Sequence, residues 1–293
     1  MEKNKISVII LTLNEEKDLP GCLESVKWAD EIVIIDSFSS DKTIEIAKRF
    51  KCKIFQKKFE GFGELKNYAI SKTSNKWILN LDADERVTEE LGKEMEKIFE
   101  NPEFDGYYFP RKSYVGKKWL KYGGQYPSYQ LRLFKKDKGG FEDFVIHERV
   151  RMEGNVGYMK NDLIHYNFTS WSDVIEKQLN KLTSIEAGEL MKKRFVWFYP
   201  VKRLREFFRE YSKLRKSGNR RMASYVLSRR VFSDYEIKWL IPFRPFMTFF
   251  RIYFILQGFR DGIHGLAWAS LTSMAVLIKF FKYHELKNNL ITR

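Results

Sequence analysis

With 293 residues and a formal net charge of +15, the chain is long enough to bury a full catalytic core plus an appendage, and basic enough to favour anionic partners. Its two cysteines, Cys22 and Cys52, have no Cys or His neighbours at zinc spacing, which argues against both a disulfide scaffold and a zinc module and suits small core residues in a reducing compartment. Met1–Lys5 leads straight into an apolar run, so no secretory leader is expected, and neither internal repeats nor low-complexity linkers are present.

Ile6–Leu11 is apolar and β-rich, as a strand buried on both faces should be, and runs into Thr12-Leu13-Asn14-Glu15-Glu16. Leu19, Cys22, Leu23 and Val26 then recur at helical spacing. Glu31–Ile35 predicts a second strand ending at Asp36, and Ser37-Phe38-Ser39-Ser40-Asp41 suits a turn and helix N-cap. Thr43–Phe50 reads as a helix, Lys53–Phe55 as a short strand, Gly61-Phe62-Gly63 as a loop, and Glu64 to about Lys72 as a helix. Trp77-Ile78-Leu79 is a further buried strand leading into Asn80-Leu81-Asp82-Ala83-Asp84-Glu85. Strands alternating with helices predict an open, mostly parallel α/β sheet that binds ligands at the carboxyl ends of its strands. Glu15, Asp36, Asp82 and Asp84 all fall at such ends, so one crevice should hold them.

Asp82 and Asp84 repel each other unless a cation lies between them. A hard divalent ion, Mg²⁺ or Mn²⁺, completing its shell with phosphate oxygens suits such a pair, whereas the plain alternative is two aspartates in a turn. Neither a Gly-x-x-x-x-Gly-Lys-Ser/Thr phosphate loop nor a Gly-x-Gly-x-x-Gly after the first strand is present, which argues against a nucleotide hydrolase and a dinucleotide dehydrogenase. Farther along, Tyr126–Phe134 alternates as a strand with Gln130 and Arg132 on one face, before Gly139–Val150 and Asp162–Tyr166.

This combination resembles the family 2 glycosyltransferases over about the first 170 residues, and so implies their GT-A fold, a nucleotide-sugar-binding α/β sandwich. The resemblance implies that Thr12, Asn14, Glu15 and Asp36 hold the uridine of a UDP-sugar. It places Lys66 and Asn67 along the nucleotide, Asp82 near the ribose and the metal, and Asp84 on the metal. One departure stands out: the family's Asp-Asp-Gly-Ser-x-Asp is here Asp36-Ser37-Phe38-Ser39-Ser40-Asp41. Gln130-x-Arg132-Leu133-Phe134, His147-Glu148, His165-Tyr166 and the tail run Gln257–Leu266 are similar to lipopolysaccharide core glucosyltransferases that add a β-1,4-glucose.

An inverting sugar transfer needs a carboxylate to accept the proton of the attacking hydroxyl, and cations to hold the leaving diphosphate. Glu148 is the first candidate for the base, with Asp143 or Glu142 next; Arg132, Lys66 and the metal suit the leaving group. His147 is a candidate metal ligand or acceptor-positioning group. Trp119 (in a segment, Tyr107–Gly124, read as a loop), Gln130 and His165 are acceptor candidates. The plain alternatives are a Glu148–Arg149 surface ion pair, a solvated Gln130 and a structural His165.

The excess charge is concentrated. From Lys192 to Arg230 there are 14 Lys and Arg against Glu206 and Glu210, with Val201, Leu204, Phe207, Phe208, Tyr211 and Leu214 at helical spacing. That pattern reads as a basic amphipathic element for an anionic membrane surface; no recognised nucleic-acid motif accompanies it, so no nucleic-acid partner is expected. Trp239–Phe281 is aromatic-rich, and its longest uncharged stretch, Gly262–Ile278, falls short of the roughly 18–20 residues of a spanning helix. Interfacial helices are expected there, with packing on the catalytic domain or a homo-oligomer interface as alternatives. The expected organisation is a catalytic domain at 1–170, a basic helical extension at 171–235 and an aromatic tail at 236–293. The expected activity is metal-dependent, inverting transfer of a hexose, glucose from UDP-glucose, to a lipid-linked saccharide such as lipopolysaccharide inner core, by a peripheral protein at the cytoplasmic side of the bacterial inner membrane. Polyprenyl phosphate or another surface glycan is an alternative acceptor, and a non-catalytic membrane scaffold an alternative role.

Overall fold

The computed structural model describes residues 4–142, 150–191, 194–196 and 242–288, with a few positions between 209 and 237. It divides into two units: Met1–Arg111 with Tyr129–Tyr166, and Lys112–Ser128 with Asn167–Arg293.

The first unit begins β1 (Ile6–Thr12), α1 (Leu19–Ser25), β2 (Glu31–Asp36), α2 (Thr43–Arg49), β3 (Lys53–Gln56), α3 (Phe62–Ser71) and β4 (Trp77–Asp82). Then come β5 (Glu85–Val87), α4 (Glu89–Glu100) and β6 (Gly106–Val115). After β7 (Lys118–Trp119) the chain forms β8 (Ser128–Lys135), β9 (Gly139–Phe141), β10 (Val150–Met152), β11 (Val156–Tyr158) and β12 (Leu163–Phe168). The main sheet has the order β3-β2-β1-β4-β8-β6-β12-β5, with β11 and β7 also on β6. β3, β2, β1 and β4 are mutually parallel, whereas β8 joins β4, and β5 joins β12, antiparallel.

The largely apolar runs of β1, β2 and β4, broken by Ser7 and Asn80, follow from burial on both faces. Val8, Ile10, Ile34, Leu79 and Leu81 pack with Leu19 and Leu23 of α1 and Leu91 and Met95 of α4. Ile9, Val33, Ile35 and Ile78 pack with Leu65, Ala69 and Ile70 of α3. Cys22 and Cys52 are free, and burial pushes both thiols upward, that of Cys52 to about 11, so both act as inert core groups.

Two local expectations change. Helix α3 starts at Phe62, so Gly63 lies in its first turn and only Gly61 remains outside. Tyr107–Gly124 is not a loop: β6 runs to Val115, turns through Gly116 at φ +55° and pairs with β7. Its Tyr, Phe and Val residues suit a pleated, half-buried surface, despite the interspersed Lys and Arg.

The second unit contains β7, α5 (Trp171–Val174), π-helical turns at Ile175–Leu182 and α6 (Thr183–Leu190). It continues with α7 (Arg244–Phe250), which runs into π-helical turns at Arg251–Ile255, a 3₁₀ turn at Gly258–Asp261 and α8 (Ile263–Lys287). Most of the basic stretch between 192 and 230 lies outside the described residues.

At the amino ends of the strands, Glu31 is buried and accepts hydrogen bonds from Ser7 Oγ, Lys53 Nζ, and Ser74 N at 2.8 Å. Burial alone raises its pKa, but these donors more than offset that, lowering it from 4.5 to about 2. A depressed carboxylate stabilises the fold fully above pH 4.5, and that contribution is lost as pH falls toward 2. Glu31→Gln is expected to lower stability at pH 7 by about 2–3 kcal/mol and to flatten the acid limb of the stability curve. Urea titrations from pH 7 down to 2 check this, and parallel curves for the two proteins would refute it.

Candidate active site

Two clusters form at the carboxyl ends of the parallel strands. In the first, Asp36 at the end of β2 is wholly buried. It accepts from Thr12 Oγ1 at 3.0 Å, Ser39 N at 2.9 Å and Gln56 Nε2 at 3.3 Å. Asn14, at φ +58°, accepts from Ser40 N at 2.8 Å through its side chain and donates its own N–H to Ser39 Oγ at 2.9 Å. Glu15 N donates to Thr43 Oγ1 at 2.8 Å, and Asp41 ties the start of α2 by accepting from Thr43 N and Glu16 N. Thr12 and Asp36, expected to face the uridine, therefore spend their side-chain bonds inside the protein, locking the β1 and β2 loops together. Among the residues these loops present outward, with Asn14, Lys17, Ser40 and Lys42, are two large apolar ones: Phe38, 60% exposed at φ +63°, and Leu13.

The second cluster is ionic and surrounds the turn between β4 and β5. Asp82 pairs with Arg132 Nη2 at 2.5 Å and Lys66 Nζ at 3.3 Å. Fully buried Glu85 pairs through Oε1 with Arg132 Nη2 at 2.6 Å and Arg111 Nη1 at 3.4 Å, and through Oε2 accepts from Asp82 N at 3.2 Å. Asp84 Oδ2 lies 3.3 Å from His165 Nε2, and its carbonyl accepts from Tyr166 N at 2.9 Å. Pairing of β12 with β5 sets His165 opposite Glu85. Burial pushes the Asp82 carboxyl up, but Arg132 and Lys66 outweigh it and hold the group far below the usual carboxylate range. Asp84 is also lowered: burial opposes, and the bond to His165 prevails. Arg132, enclosed by Asp82 and Glu85, is held in its charged form despite its burial.

Three carboxylates (Asp82, Asp84, Glu85) thus face three cations (Lys66, Arg111, Arg132), so the cluster is near neutral. It is not saturated in hydrogen bonds. The side-chain amide of Asn80, the Nε atoms of Arg111 and Arg132, and His165 Nδ1 are buried without a hydrogen-bond partner among the described residues. Buried polar atoms are rarely left unpaired, and these could be satisfied by water or by an added polar ligand. Among the described residues no three His, Cys, Asp or Glu side chains form a closed cage. Both oxygens of Asp82 face cations, leaving Asp84 as the available carboxylate. One carboxylate plus donor phosphates and water is a donor set that Mg²⁺ and Mn²⁺ accept.

Of the other expected residues, Lys66 is buried in the ionic cluster. Asn67, placed along the nucleotide by resemblance, instead exchanges two 2.9 Å bonds with the backbone of Phe141 and holds β9 to α3. Gln130 shares the Arg132 face and is half-buried, and Glu142 is exposed. Asp143, His147 and Glu148 lie outside the described residues. Trp119 belongs to the second unit, edge-on to Tyr126, with Lys112 and Lys121 over its ring at 4.9 and 5.3 Å. The sequence reading missed Glu85, whose place directly after the aspartate pair was a usable signal. It also missed Arg111, hidden in the strand taken for a loop.

Residues 7–162 match the sequence model of glycosyl transferase family 2. The chain belongs to this family. Its sheet and Asp-x-Asp turn are those of the GT-A fold, as expected. An uncharacterized glycosyltransferase of Rickettsia typhi is 31% identical over 205 residues, covering 64% of this chain and 68% of the relative. The lipopolysaccharide core biosynthesis glycosyltransferase LpsC of Rhizobium meliloti is 28% identical, over 71% of this chain and 82% of its own. Among solved structures, residues 1–349 of TarS from S. aureus align over 99% of this chain and 93% of that one, with TM-score 0.45 and 13% identity.

In this glycosyltransferase the Glu85 carboxylate is the common partner of two guanidiniums, that of buried Arg132 and that of part-buried Arg111. Glu85→Ala is expected to cost about 3–5 kcal/mol, because removing one member of a buried ionic network leaves the others uncompensated. Denaturant unfolding measures this, and a cost below about 0.5 kcal/mol, the range of neutral surface changes, would show that the network does not hold the turn.

Proposed function

We propose that this glycosyltransferase moves glucose from UDP-glucose, with inversion and with a divalent cation, onto a lipid-linked saccharide of the lipopolysaccharide inner-core type. Its proposed station is the cytoplasmic side of the bacterial inner membrane. The observation that carries the reading is the neutral but hydrogen-bond-deficient cluster at the β4–β5 turn. A metal–diphosphate pair brings roughly equal and opposite charge to such a cluster. Similarity to LpsC supports the choice of acceptor.

In this reading Asp84 holds Mg²⁺ or Mn²⁺ with His165 beside it, and the ion supplies positive charge to the diphosphate. Lys66 and Arg132 stabilise the negative charge that grows on the leaving UDP as the anomeric C–O bond breaks. Both are already fixed on Asp82, so little reorganisation is needed at that moment. A carboxylate of the segment 142–148, Glu148 first with Asp143 or Glu142 as alternatives, takes the proton of the acceptor hydroxyl as it attacks from the opposite face. Gln130 and Trp119 remain the proposed acceptor contacts, with Asn14 and Glu15 on the nucleotide side. Phe38 supplies a stacking surface for the uracil.

Calorimetric titration of UDP-glucose, UDP-galactose and UDP-N-acetylglucosamine with and without Mn²⁺ tests this reading. Metal-dependent binding, tightest for UDP-glucose and at least about tenfold weaker in Asp84→Asn, is expected. A folded protein that binds no uridine nucleotide would overturn it. Phe38→Ala is expected to weaken UDP and UDP-glucose alike by about fivefold, the value of one aromatic contact of about 1 kcal/mol. Unchanged affinity would remove Phe38 from the site.

A further inference from the structure

Helix α8 is long and apolar enough to cross a membrane by length and composition. Its side chains argue for a different placement. One face is tied by polar contacts to the preceding helices from its first turn to its last. Trp171 Nε1 donates to His264 Nδ1 at 3.1 Å, and Gln178 Nε2 to Thr272 Oγ1 at 3.3 Å. Buried Lys279 pairs with Glu186 at 3.0 Å, and Lys282 Nζ donates to Asn180 O at 2.8 Å and Thr183 Oγ1 at 2.9 Å. A spanning α8 would draw this polar seam, and the charged turns that carry it, into hydrocarbon.

The opposite face is apolar and open. Ile263, Leu266, Met274, Leu277 and Phe281 recur at steps that fall on one stripe of the helix, and all are exposed. Helix α7 packs beside it, with Ser273 Oγ donating to Pro245 O at 2.7 Å. On α7 and the turns after it Phe246 (71% exposed), Met247, Phe250 and Phe254 are exposed as well. From Phe243 to Lys282 the chain carries Arg244, Arg251, Arg260, Lys279 and Lys282 against a single acid, Asp261. The Asp261 carboxylate is buried and accepts from Lys121 N and Tyr122 N. The next acid, Glu285, lies one turn beyond Phe281 and marks the end of the stripe. An open aromatic face with arginines in its sequence and no carboxylate within it matches an anionic lipid surface in both polarity and charge.

We infer that the α7–α8 pair is a monotopic membrane anchor, seated by its phenylalanine face in the interfacial layer of an anionic bilayer without crossing it. A second copy of the chain seated on the same apolar face is the competing occupant, and the mass measured in lipid-free buffer separates it from lipid. The inference rests on the membrane placement proposed above and assigns the surface that achieves it.

The test is flotation of the full-length protein with phosphatidylcholine vesicles, with and without about 30% phosphatidylglycerol. The wild type is compared with Phe246→Glu/Phe250→Glu and with Phe281→Glu. Thermal melting checks that each variant is folded, and light scattering in lipid-free buffer reports its mass. Expected are flotation that requires the anionic lipid and a loss of at least about tenfold in the glutamate variants, with melting and mass unchanged. Absence of wild-type flotation, flotation indifferent to the substitutions, or a wild-type dimer that these substitutions convert to monomer would each overturn the inference. None of these readouts involves a nucleotide, so the outcome is separable from that of the donor titration.

Discussion

Everything at the catalytic end of the first unit depends on neutralising three carboxylates placed within four residues. Asp82, Asp84 and Glu85 can share one turn only if cations from elsewhere reach them, and these come from three different elements: Lys66 from α3, Arg111 from β6 and Arg132 from β8. The antiparallel addition of β8 to an otherwise parallel run acquires a chemical reason from this. Its register sets Leu133 opposite Leu79, so one step further brings Arg132 level with Asn80, on the face that carries Asp82. A parallel strand in that place would present a different row of side chains. Glu85 then couples the strands electrostatically, because a single carboxylate oxygen faces both guanidiniums while the other fixes the backbone of Asp82.

The parallel half of the sheet was legible in the sequence because burial on both faces leaves a largely apolar signature in Ile6–Leu11, Glu31–Ile35 and Trp77–Leu79. The aspartate pair was legible because a ligand-binding turn follows such a strand. The antiparallel half was not, for the opposite reason. Strand β6 mixes Tyr, Phe, Arg and Lys, since part of it serves an ionic site, and so it lacks a clean period. Strand β5 is only three residues long, one of them the buried Glu85.

Side-chain direction was the second quantity beyond reach. Asp36, Thr12 and Asn67 have the residue types of ligand contacts, and their positions along the strands and helices were read correctly. Whether a carboxylate faces a nucleotide or its own loop depends on neighbours such as Ser39 and Gln56, and in Asn67 on the Phe141 backbone. Phe38 shows the reverse case. As a departure from the family pattern it looked like a loss, yet the left-handed backbone at that position leaves its ring outside the locked loops. The tail run Gln257–Leu266 likewise carries a packing reason: a Cβ on Gly265 would fall 1.8 Å from the carbonyl of Gly258, so the approach of α8 to the 3₁₀ turn requires glycine.

The distribution of charge separates catalysis from location. A large positive excess would attract an anionic nucleotide, but the described cluster around Asp82 balances its own charges. The +15 of the chain is carried elsewhere, most of it between Lys192 and Arg230. In the proposed reading, a cluster balanced among its described residues would favour a metal-bound diphosphate over a bare anion, because only the pair leaves the balance undisturbed. Charge outside the cluster acts at longer range, where screening within about 10 Å confines its effect to nearby surfaces. In the proposed reading, the basic segment and the phenylalanine face farther along the sequence meet that condition at an anionic bilayer. There the apolar contact would supply proximity, and the cations would add affinity that depends on the headgroups.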